Sequence, residues 1–363
     1  MSTPRLEIRL DRIAHNTASM VSRLAVKGIS VTAVTKSMLG EPRVAEALFG
    51  AGAVGLADSR LRNMATMRNG GIRAPMTMVR TPLLSEVDGV VHDCETSCNT
   101  ESAVLVALSA AAVQQERVHQ VLLMVELGDL REGIMPAQVV GIAQLVAGLP
   151  NLTLHGLGAN LACRHGVVPD DANMAELSAM VDMVELATGA HLAVVSGGNS
   201  ANLGWALGPA HIGRINDLRL GEALLLGRDP VDRRPIDGLC TDAVTLVGEV
   251  IESGPKPSTP WGRFAQNAFG QRTADTGESD EGDVMQTIVA LGRQDTDPED
   301  LEAPAGMTIM SASSDHLVTR TEHQLAVGTE VRFRPGYSAV LRSMSTPTVA
   351  KLYSDADDPH QQR

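Results

Sequence analysis

One lysine, Lys36, stands directly after an apolar run that is typical of a buried strand. It follows ISVTAVT (29–35), at the position where the first strand of a parallel barrel would end. Active sites of such barrels are built at the carboxyl ends of the strands. A desolvated lysine amine has a lowered pKa, so it can form a Schiff base with an aldehyde cofactor and then act as a base. The alternative is a lysine that extends from the barrel rim into solvent.

A glycine-rich loop after a later predicted strand, LAVVS, predicts a binding site, called here the phosphate seat, for a phosphate group. Its residues are Ser196, Gly197, Gly198, Asn199 and Ser200. Glycines let backbone N–H groups approach an anion, and the helix predicted to follow adds the positive end of its dipole. Gly221 could complete the seat, because barrel phosphate sites favour the loops after strands seven and eight. A plain strand-to-helix turn is the alternative.

Arg219 lies inside the apolar run LRLGEALLLG (218–227), so its guanidinium must face a polar group. That group is either an ion-pair partner within the barrel or the ring nitrogen of a cofactor. Arginine stays protonated and cannot accept a proton, so it would keep a ring nitrogen neutral. A neutral ring is a weaker electron sink, which suits a simple exchange of protons.

Further polar residues follow the predicted strands five and six. Arg131 lies in VELGDLREG, and Asn160 and Cys163 lie in GANLACRHG. Polar residues are common at the rim of any barrel, which is the ordinary explanation for these three. They nevertheless fall at the same ends of their strands as Lys36 and Arg219. That convergence predicts one shared site.

An acidic cluster near the end of strand five consists of Glu126, Asp129 and Glu132. A carboxylate there could hold an ammonium group of a substrate. A solvated loop explains the same residues equally well.

Short β-rich runs alternate with amphipathic helical segments between residues 30 and 227, as in repeated βα units with a parallel sheet. Eight runs indicate a closed (β/α)₈ barrel of the TIM type rather than an open sheet. The predicted strands are 29–35, 53–58, 74–79, 89–93, 121–127, 152–161, 192–196 and 218–227.

From about residue 238 the sequence becomes rich in Thr and Val and has no long helical period, which predicts a mostly antiparallel β domain. We predict a barrel over 11–232 and a β domain over 233–353 that includes an N-terminal strand, 5–10. Residues 273–283 and 295–304 are expected to be exposed loops, and 354–363 a flexible tail.

Composition narrows the classes of function. The 363 residues have a formal net charge of −13, which argues against nucleic acid or an anionic membrane as a partner. A small-molecule substrate is expected. No stretch reaches the apolar length of a membrane span, and the charged opening residues do not resemble a secretory signal, so a cytoplasmic location is expected. Cys94 and Cys98 have no companion ligands nearby and are expected to be free thiols; no metal is predicted.

Seven motifs together carry a resemblance to a known family. In chain order they are AVTKS, VELGDLREG, GANLACRHG, SGGNS, INDLRLGEALLLG, ALGRQD and SASSDHL. With these motifs the chain, from about residue 5 to 353, resembles the ornithine racemase branch of the alanine racemase-like, fold-type III pyridoxal-phosphate enzymes. The resemblance implies an amino-acid racemase (an isomerase) that acts on ornithine or another basic amino acid with pyridoxal 5′-phosphate.

The resemblance also implies roles for individual residues. Lys36 would be the Schiff-base lysine and Arg219 the partner of the pyridine nitrogen. Arg131 would lie near the ring hydroxyl, and Asn160 would replace a histidine that lies against the ring. The phosphate contacts would be Ser200, Gly221 and Tyr337.

One segment departs from the family pattern. Alanine racemases use a tyrosine from the partner subunit's β domain as the base opposite the lysine, and here that segment reads Gly-Arg-Gln-Asp, with Arg293 in the tyrosine's place. Arginine is a poor proton donor. The candidates for the acid/base on the opposite face are Asp315 and His316, then Cys163. A homodimer is expected, in which the β domain of one copy covers the barrel mouth of the other.

Two other functions remain open. A D-threonine aldolase or D-serine dehydratase would share the fold and cofactor but would need a divalent metal, for which a His-x-Cys or His-x-Asp pair is expected. His316 is followed by Leu317 and Val318 instead. A non-catalytic pyridoxal-phosphate carrier would be a single barrel, which the predicted β domain disfavours.

Overall fold

The computed structural model describes residues 3–209, 211–266, 269–270 and 281–355. Its contacts divide the chain into two units, one of residues 10–243 and one of residues 1–9 and 244–363. Most of the predicted loop 273–283 and of the predicted tail 354–363 lies outside the described residues. The first strand, β1 (Arg5–Arg9), belongs to the second unit.

The first unit is a closed barrel of eight parallel strands, in which each strand pairs with the next and the last pairs with the first. The strands are β2 (Ser30–Val34), β3 (Gly55–Asp58), β4 (Met76–Met78), β5 (Thr96–Asn99), β6 (His119–Val125), β7 (Leu152–Ala159), β8 (Val194–Ser196) and β9 (Asp217–Leu220). The predicted fold class is therefore confirmed for this unit.

Helices connect the barrel strands and pack their apolar faces around them. They are α1 (Leu10–Ala25), α2 (Pro42–Gly50), α3 (Leu61–Asn69), α4 (Val87–Asp93), α5 (Ser102–Gln114), α6 (Val139–Gly148), α7 (Asp171–Thr188), α8 (Leu203–Ala206) and α9 (Glu222–Leu226). The longest, α7, begins at a capping box of Asp170 and Asn173 and ends at Gly189, whose φ of 68° is the left-handed conformation that favours glycine. No helix in the described part of the chain is long and apolar enough to cross a membrane.

Two predicted strands are wrong. Residues 89–93 belong to α4, in which Val87, Val90 and Val91 share one buried helical face, and the fourth barrel strand is β5. Strand β5 reads TSCN and is polar, but it is wholly buried because its polar side chains form hydrogen bonds within the protein, as Ser97 Oγ does with His119 Nε2 at 2.8 Å. The predicted eighth strand, 218–227, is divided at Gly221, where β9 ends and α9 begins.

In its described residues the second unit is an eight-stranded, mostly antiparallel sheet with one helix, α10 (Tyr337–Ser345). Its further strands are β10 (Val244–Pro257), β11 (Asp283–Val289), β12 (Leu301–Glu302), β13 (Met307–Ala312), β14 (Leu317–Thr321), β15 (Glu330–Pro335) and β16 (Ala350–Ser354). The strand order is β12-β15-β10-β11-β14-β13, and β1 pairs with β10 and β16. The predicted class of this sheet is confirmed, while helix α10 was not predicted.

Residues 233–243, which the sequence analysis assigns to the β domain, belong to the barrel unit. Asn16, buried in α1, accounts for this attachment. Its Nδ2 donates to the backbone oxygens of Leu224 at 3.1 Å and Cys240 at 2.9 Å, and its Oδ1 accepts from Cys240 N at 2.7 Å. The side chain thus satisfies backbone groups that burial would otherwise leave unpaired.

The predicted exposed loop 295–304 contains regular structure, namely β12 and a 3₁₀ turn.

Candidate active site

Lys36 lies at the carboxyl end of β2, in a 3₁₀ turn (Lys36–Met38) that begins two residues after the strand. The side chain is half-buried. Burial lowers the pKa of Lys36, and the nearby Arg131 lowers it further, while Cys163 and Asp58 raise it in part. A lysine in these surroundings is neutral over a wider range of pH than an exposed one, as a nucleophile and base requires.

Asp58, at the end of β3, braces the segment that carries Lys36. Its Oδ2 accepts from Thr35 Oγ1 at 2.8 Å, and its Oδ1 accepts from Asn63 Nδ2 at 2.9 Å and Arg60 N at 3.0 Å. Burial raises the pKa of this carboxyl, and the hydrogen bonds from Thr35 and Asn63 oppose the rise. Asp58 therefore fixes the end of β2 to the start of α3.

Arg219 points into the barrel from β9 and is 5% exposed. Its Nη1 donates to Ser196 Oγ, and its Nη2 donates to the backbone oxygen of Ala159 at 2.6 Å. Ser196 Oγ donates in turn to Asp217 Oδ2. Gly158 leaves room for the guanidinium, because a Cβ at that residue would lie 3.3 Å from Nη1. The guanidinium is thus held by two fixed acceptors below the barrel mouth.

The loops after β8 and β9 meet at Ser200, as the predicted phosphate seat requires. Ser200 Oγ accepts from the backbone N–H groups of Gly221 at 3.4 Å and Ala223 at 3.2 Å. Gly198 has a φ of 151°, and a Cβ there would overlap the Asn202 side chain. Ser196, in contrast, is fully buried and its hydroxyl bonds Asp217 and Arg219, so only the backbone of that residue borders the loop.

Asn160 and Cys163 follow β7 and lie together with Arg131. The side-chain amide of Asn160 is 2.9 Å from Cys163 Sγ and 3.0 Å from Arg131 Nη2. Asn199 joins this group from the loop after β8, since its Nδ2 lies 3.0 Å from the Asn160 amide and donates to Leu161 O at 2.9 Å. Residues that follow three strands are therefore in contact.

The acidic cluster is occupied by contacts within the protein. Glu126 Oε1 accepts from the backbone N–H groups of Gly128 at 2.7 Å and Leu130 at 2.9 Å. Asp129 is 1% exposed and accepts three backbone N–H groups of residues 163–165. Glu132 pairs with Arg131 through both carboxylate oxygens. The cluster therefore braces two loops, and each of its carboxylates has a protein partner on at least one oxygen.

Comparison with known proteins assigns the family. Residues 8–229 match the model of the alanine racemase N-terminal domain. The chain belongs to this family. It is 34% identical over 357 residues to the lysine racemase of Thermotoga maritima, covering 97% of this chain and 99% of that protein. It is 33% identical over 356 residues to the ornithine racemase of Acetoanaerobium sticklandii, covering 96% and 99%. The resemblance stated from the motifs is confirmed.

Solved structures of the alanine racemase family share the fold. The alanine racemase of Bartonella henselae, described with covalently bound pyridoxal phosphate, superimposes with a TM-score of 0.73. The match covers 98% of this chain and all of that one at 13% identity, so it speaks for the fold alone.

Three predicted site residues, Tyr337, Asp315 and His316, lie in the β unit. Tyr337 is the first residue of α10. Asp315 and His316 form an exposed pair on the turn between β13 and β14, with Nδ1 of His316 2.8 Å from Asp315 Oδ1. The hydrogen bond with His316 lowers the pKa of Asp315. The roles of these residues stay predictions.

Arg293, in the segment that departs from the expected family pattern, lies next to that turn. Its backbone N–H donates to Ser313 O at 2.9 Å, and its guanidinium pairs with Glu299 through both oxygens. The hydrogen bond to Glu299 raises the pKa of Arg293. Such a group holds its proton firmly and is unsuited to proton transfer.

The sequence analysis missed Asp58, Asn199 as a bridging residue, and Asp217. Asn199 was read only as part of the loop. The sequence could have indicated a role for Asp217, because it places a second charged residue two positions before Arg219 on the same strand.

Proposed function

We propose that this chain is a pyridoxal-phosphate-dependent racemase that interconverts the L and D forms of a basic amino acid such as ornithine or lysine. The observation that carries the proposal is the near full-length identity of 33–34% to a lysine racemase and an ornithine racemase. The arrangement around Lys36 and Arg219 supports it independently, because it pairs an amine of lowered pKa with a buried guanidinium at one barrel mouth.

The residues present fit pyridoxal phosphate. Lys36 offers a desolvated amine for the aldehyde carbon. Arg219 can meet the ring nitrogen without giving up a proton. Ser200, with the backbone N–H groups that converge on it, suits the phosphate. Tyr337 is proposed as a further phosphate contact from the β unit.

Asn160 and Arg131, in contact with each other, are proposed to lie beside the ring and its hydroxyl. Ser196, Gly197 and Gly198 are proposed to contribute backbone to the phosphate loop. When bound, the cofactor supplies an electron sink that stabilises the substrate after its α-proton has left.

Lys36 is proposed to move the α-proton on one face of the substrate carbon, since its neutral amine can accept a proton there. A second group must serve the other face. Asp315 with His316 is our first proposal, because the pair is exposed and already hydrogen-bonded, so one residue can hold a proton that the other orients. Cys163 is the second, because its thiol lies beside the Asn160 amide.

A homodimer is proposed as the active form. The Asp315–His316 pair is exposed on the β unit, and a second copy could bring it to the barrel mouth and exclude water from the site. Sedimentation of a fully active monomer would remove this part of the proposal. A cytoplasmic location remains a prediction from the sequence.

The deciding experiment incubates the purified protein with a panel of L-amino acids and resolves the products by chiral chromatography. Ornithine and lysine are expected to give their D forms fastest, at equal rates with and without a chelator. If a chelator stops the reaction, or a β-hydroxy amino acid is cleaved to glycine, the protein is a metal-assisted aldolase instead. Bound pyridoxal phosphate without turnover of any substrate would indicate a carrier.

A further inference from the structure

A buried carboxylate inside the barrel, Asp217, is unused by the function proposed above. It lies two residues before Arg219 in β9, so both side chains lie on the same face of the strand. Both residues are 5% exposed. One strand therefore supplies both an anion and a cation to the barrel interior.

Ser196 links these two charges. A hydroxyl has one proton to donate and two lone pairs that accept. Ser196 Oγ donates its proton to Asp217 Oδ2, which leaves only lone pairs to face Arg219 Nη1. Asp217 thereby determines that the hydroxyl meets the guanidinium as an acceptor.

We propose that Asp217 is a positioning residue, which acts through Ser196 to hold the Arg219 guanidinium toward the cofactor ring nitrogen. This inference rests on the proposed function, because it concerns the residue assigned to that nitrogen. Asp217 itself meets no substrate. Its remaining hydrogen bonds are at the other carboxylate oxygen, Oδ1, with Thr32 Oγ1 at 2.8 Å and Ser30 Oγ at 3.5 Å.

Charge balance supports the proposal. A guanidinium buried without a counter-charge is destabilised, because the barrel interior solvates it poorly. Burial raises the pKa of Asp217, whereas the hydrogen bond from Ser196 and the charge of Arg219 lower it. The carboxylate and the guanidinium thus stabilise each other in their ionised forms. Without the anion, Arg219 would gain by turning toward water at the barrel mouth.

The chain offers matched variants. Asp217→Asn removes the charge with little change of shape, and Ser196→Ala removes the link but keeps the charge. Thr32→Val is the control, because it removes a hydroxyl that donates to the other carboxylate oxygen of Asp217, Oδ1, and leaves the link through Ser196 in place. Thermal unfolding verifies that each variant folds, and Ser196→Ala, the milder change, carries the test if Asp217→Asn does not fold.

The measurements are the dissociation constant of pyridoxal phosphate from the apoprotein and the absorption maximum of the bound cofactor. Loss of one charge-assisted hydrogen bond corresponds to about a tenfold weaker binding. We expect that loss, with a shifted absorption band, for Asp217→Asn and Ser196→Ala, and wild-type values for Thr32→Val. In an Arg219→Lys background Asp217→Asn should add nothing further.

Two outcomes would overturn the inference: wild-type binding and spectrum in Asp217→Asn or Ser196→Ala, or an undiminished effect of Asp217→Asn in the Arg219→Lys background. An equal loss in Thr32→Val would show that Asp217 only stabilises the barrel. A wild-type protein that does not bind pyridoxal phosphate would instead remove the proposed function, and with it this inference.

Discussion

Replacing Asp129 with asparagine should release the loop that follows β7. In the wild type its carboxylate accepts from the backbone N–H groups of Cys163 at 3.0 Å, Arg164 at 2.8 Å and His165 at 3.0 Å. Burial would raise the pKa of Asp129, but these hydrogen bonds outweigh it and hold the pKa below its ordinary value. Asparagine can accept at one oxygen only, so it retains at most two of the three bonds and turns its NH₂ group against the remaining donor.

The magnitude follows from these contacts. A hydrogen bond to a charged group contributes roughly 1.5–3 kcal/mol and a neutral one about 1 kcal/mol. Losing one bond and reducing two others to neutral strength therefore lowers the free energy of opening this loop by about 3 kcal/mol. A factor of ten in an equilibrium corresponds to about 1.4 kcal/mol, so opening becomes more than about 100-fold more frequent.

Amide hydrogen exchange read by mass spectrometry measures this opening locally. The amides of residues 163–165 should exchange more than about 100-fold faster in Asp129→Asn than in the wild type. Asp170→Asn is the matched control: Asp170 caps α7 by accepting from Asn173 N at 2.9 Å, and asparagine caps a helix equally well. Unchanged exchange at 163–165 in Asp129→Asn would refute the assignment of Asp129 as the residue that holds this loop.

Three further predictions follow from the barrel. The pKa of Asp129 is lowered in the folded protein, so this carboxylate stabilises the loop fully above about pH 4, near the ordinary pKa of Asp. The stabilisation is lost as the pH falls through the lowered folded pKa. Amide hydrogen exchange of residues 163–165, measured across this pH range, checks the prediction. Gly198→Ala should lower the free energy of unfolding by at least about 2 kcal/mol, because the added Cβ overlaps Asn202. Gly141→Ala, on the exposed side of α6, should instead raise the free energy of unfolding by about 0.5–1 kcal/mol. Denaturant titrations measure both changes. Lys36→Ala should abolish the visible absorption of the protein with pyridoxal phosphate and all turnover, so retained colour would reject Lys36 as the anchor.

Much of the fold was predictable because its determinants are local. The alternation of apolar β-rich runs with amphipathic helices indicates βα units, and the loss of helical periodicity near residue 238 indicates the β unit. Strand β5 was not predicted because a strand can be buried with polar residues when their side chains bond each other, as Ser97 and His119 do. Residues 89–93 were predicted as a strand, although they belong to α4, because a short apolar run is compatible with either a strand or a helix.

The sequence by itself determined three things: the family, the position of Lys36 at the end of a strand, and the glycine-rich loop. Each of these is a property of residues that are neighbours in the chain. Only the tertiary structure decided what those residues contact. Ser196 looks like a loop residue in sequence, but the register of β8 against β9 sets it opposite Asp217 and within reach of Arg219 on the same strand. Asp129, near β6, likewise looks available for a substrate ammonium until folding presents it with backbone N–H groups distant in the chain. A hydrogen bond depends on distances of a few tenths of an ångström between segments that the sequence separates, and only packing sets those distances.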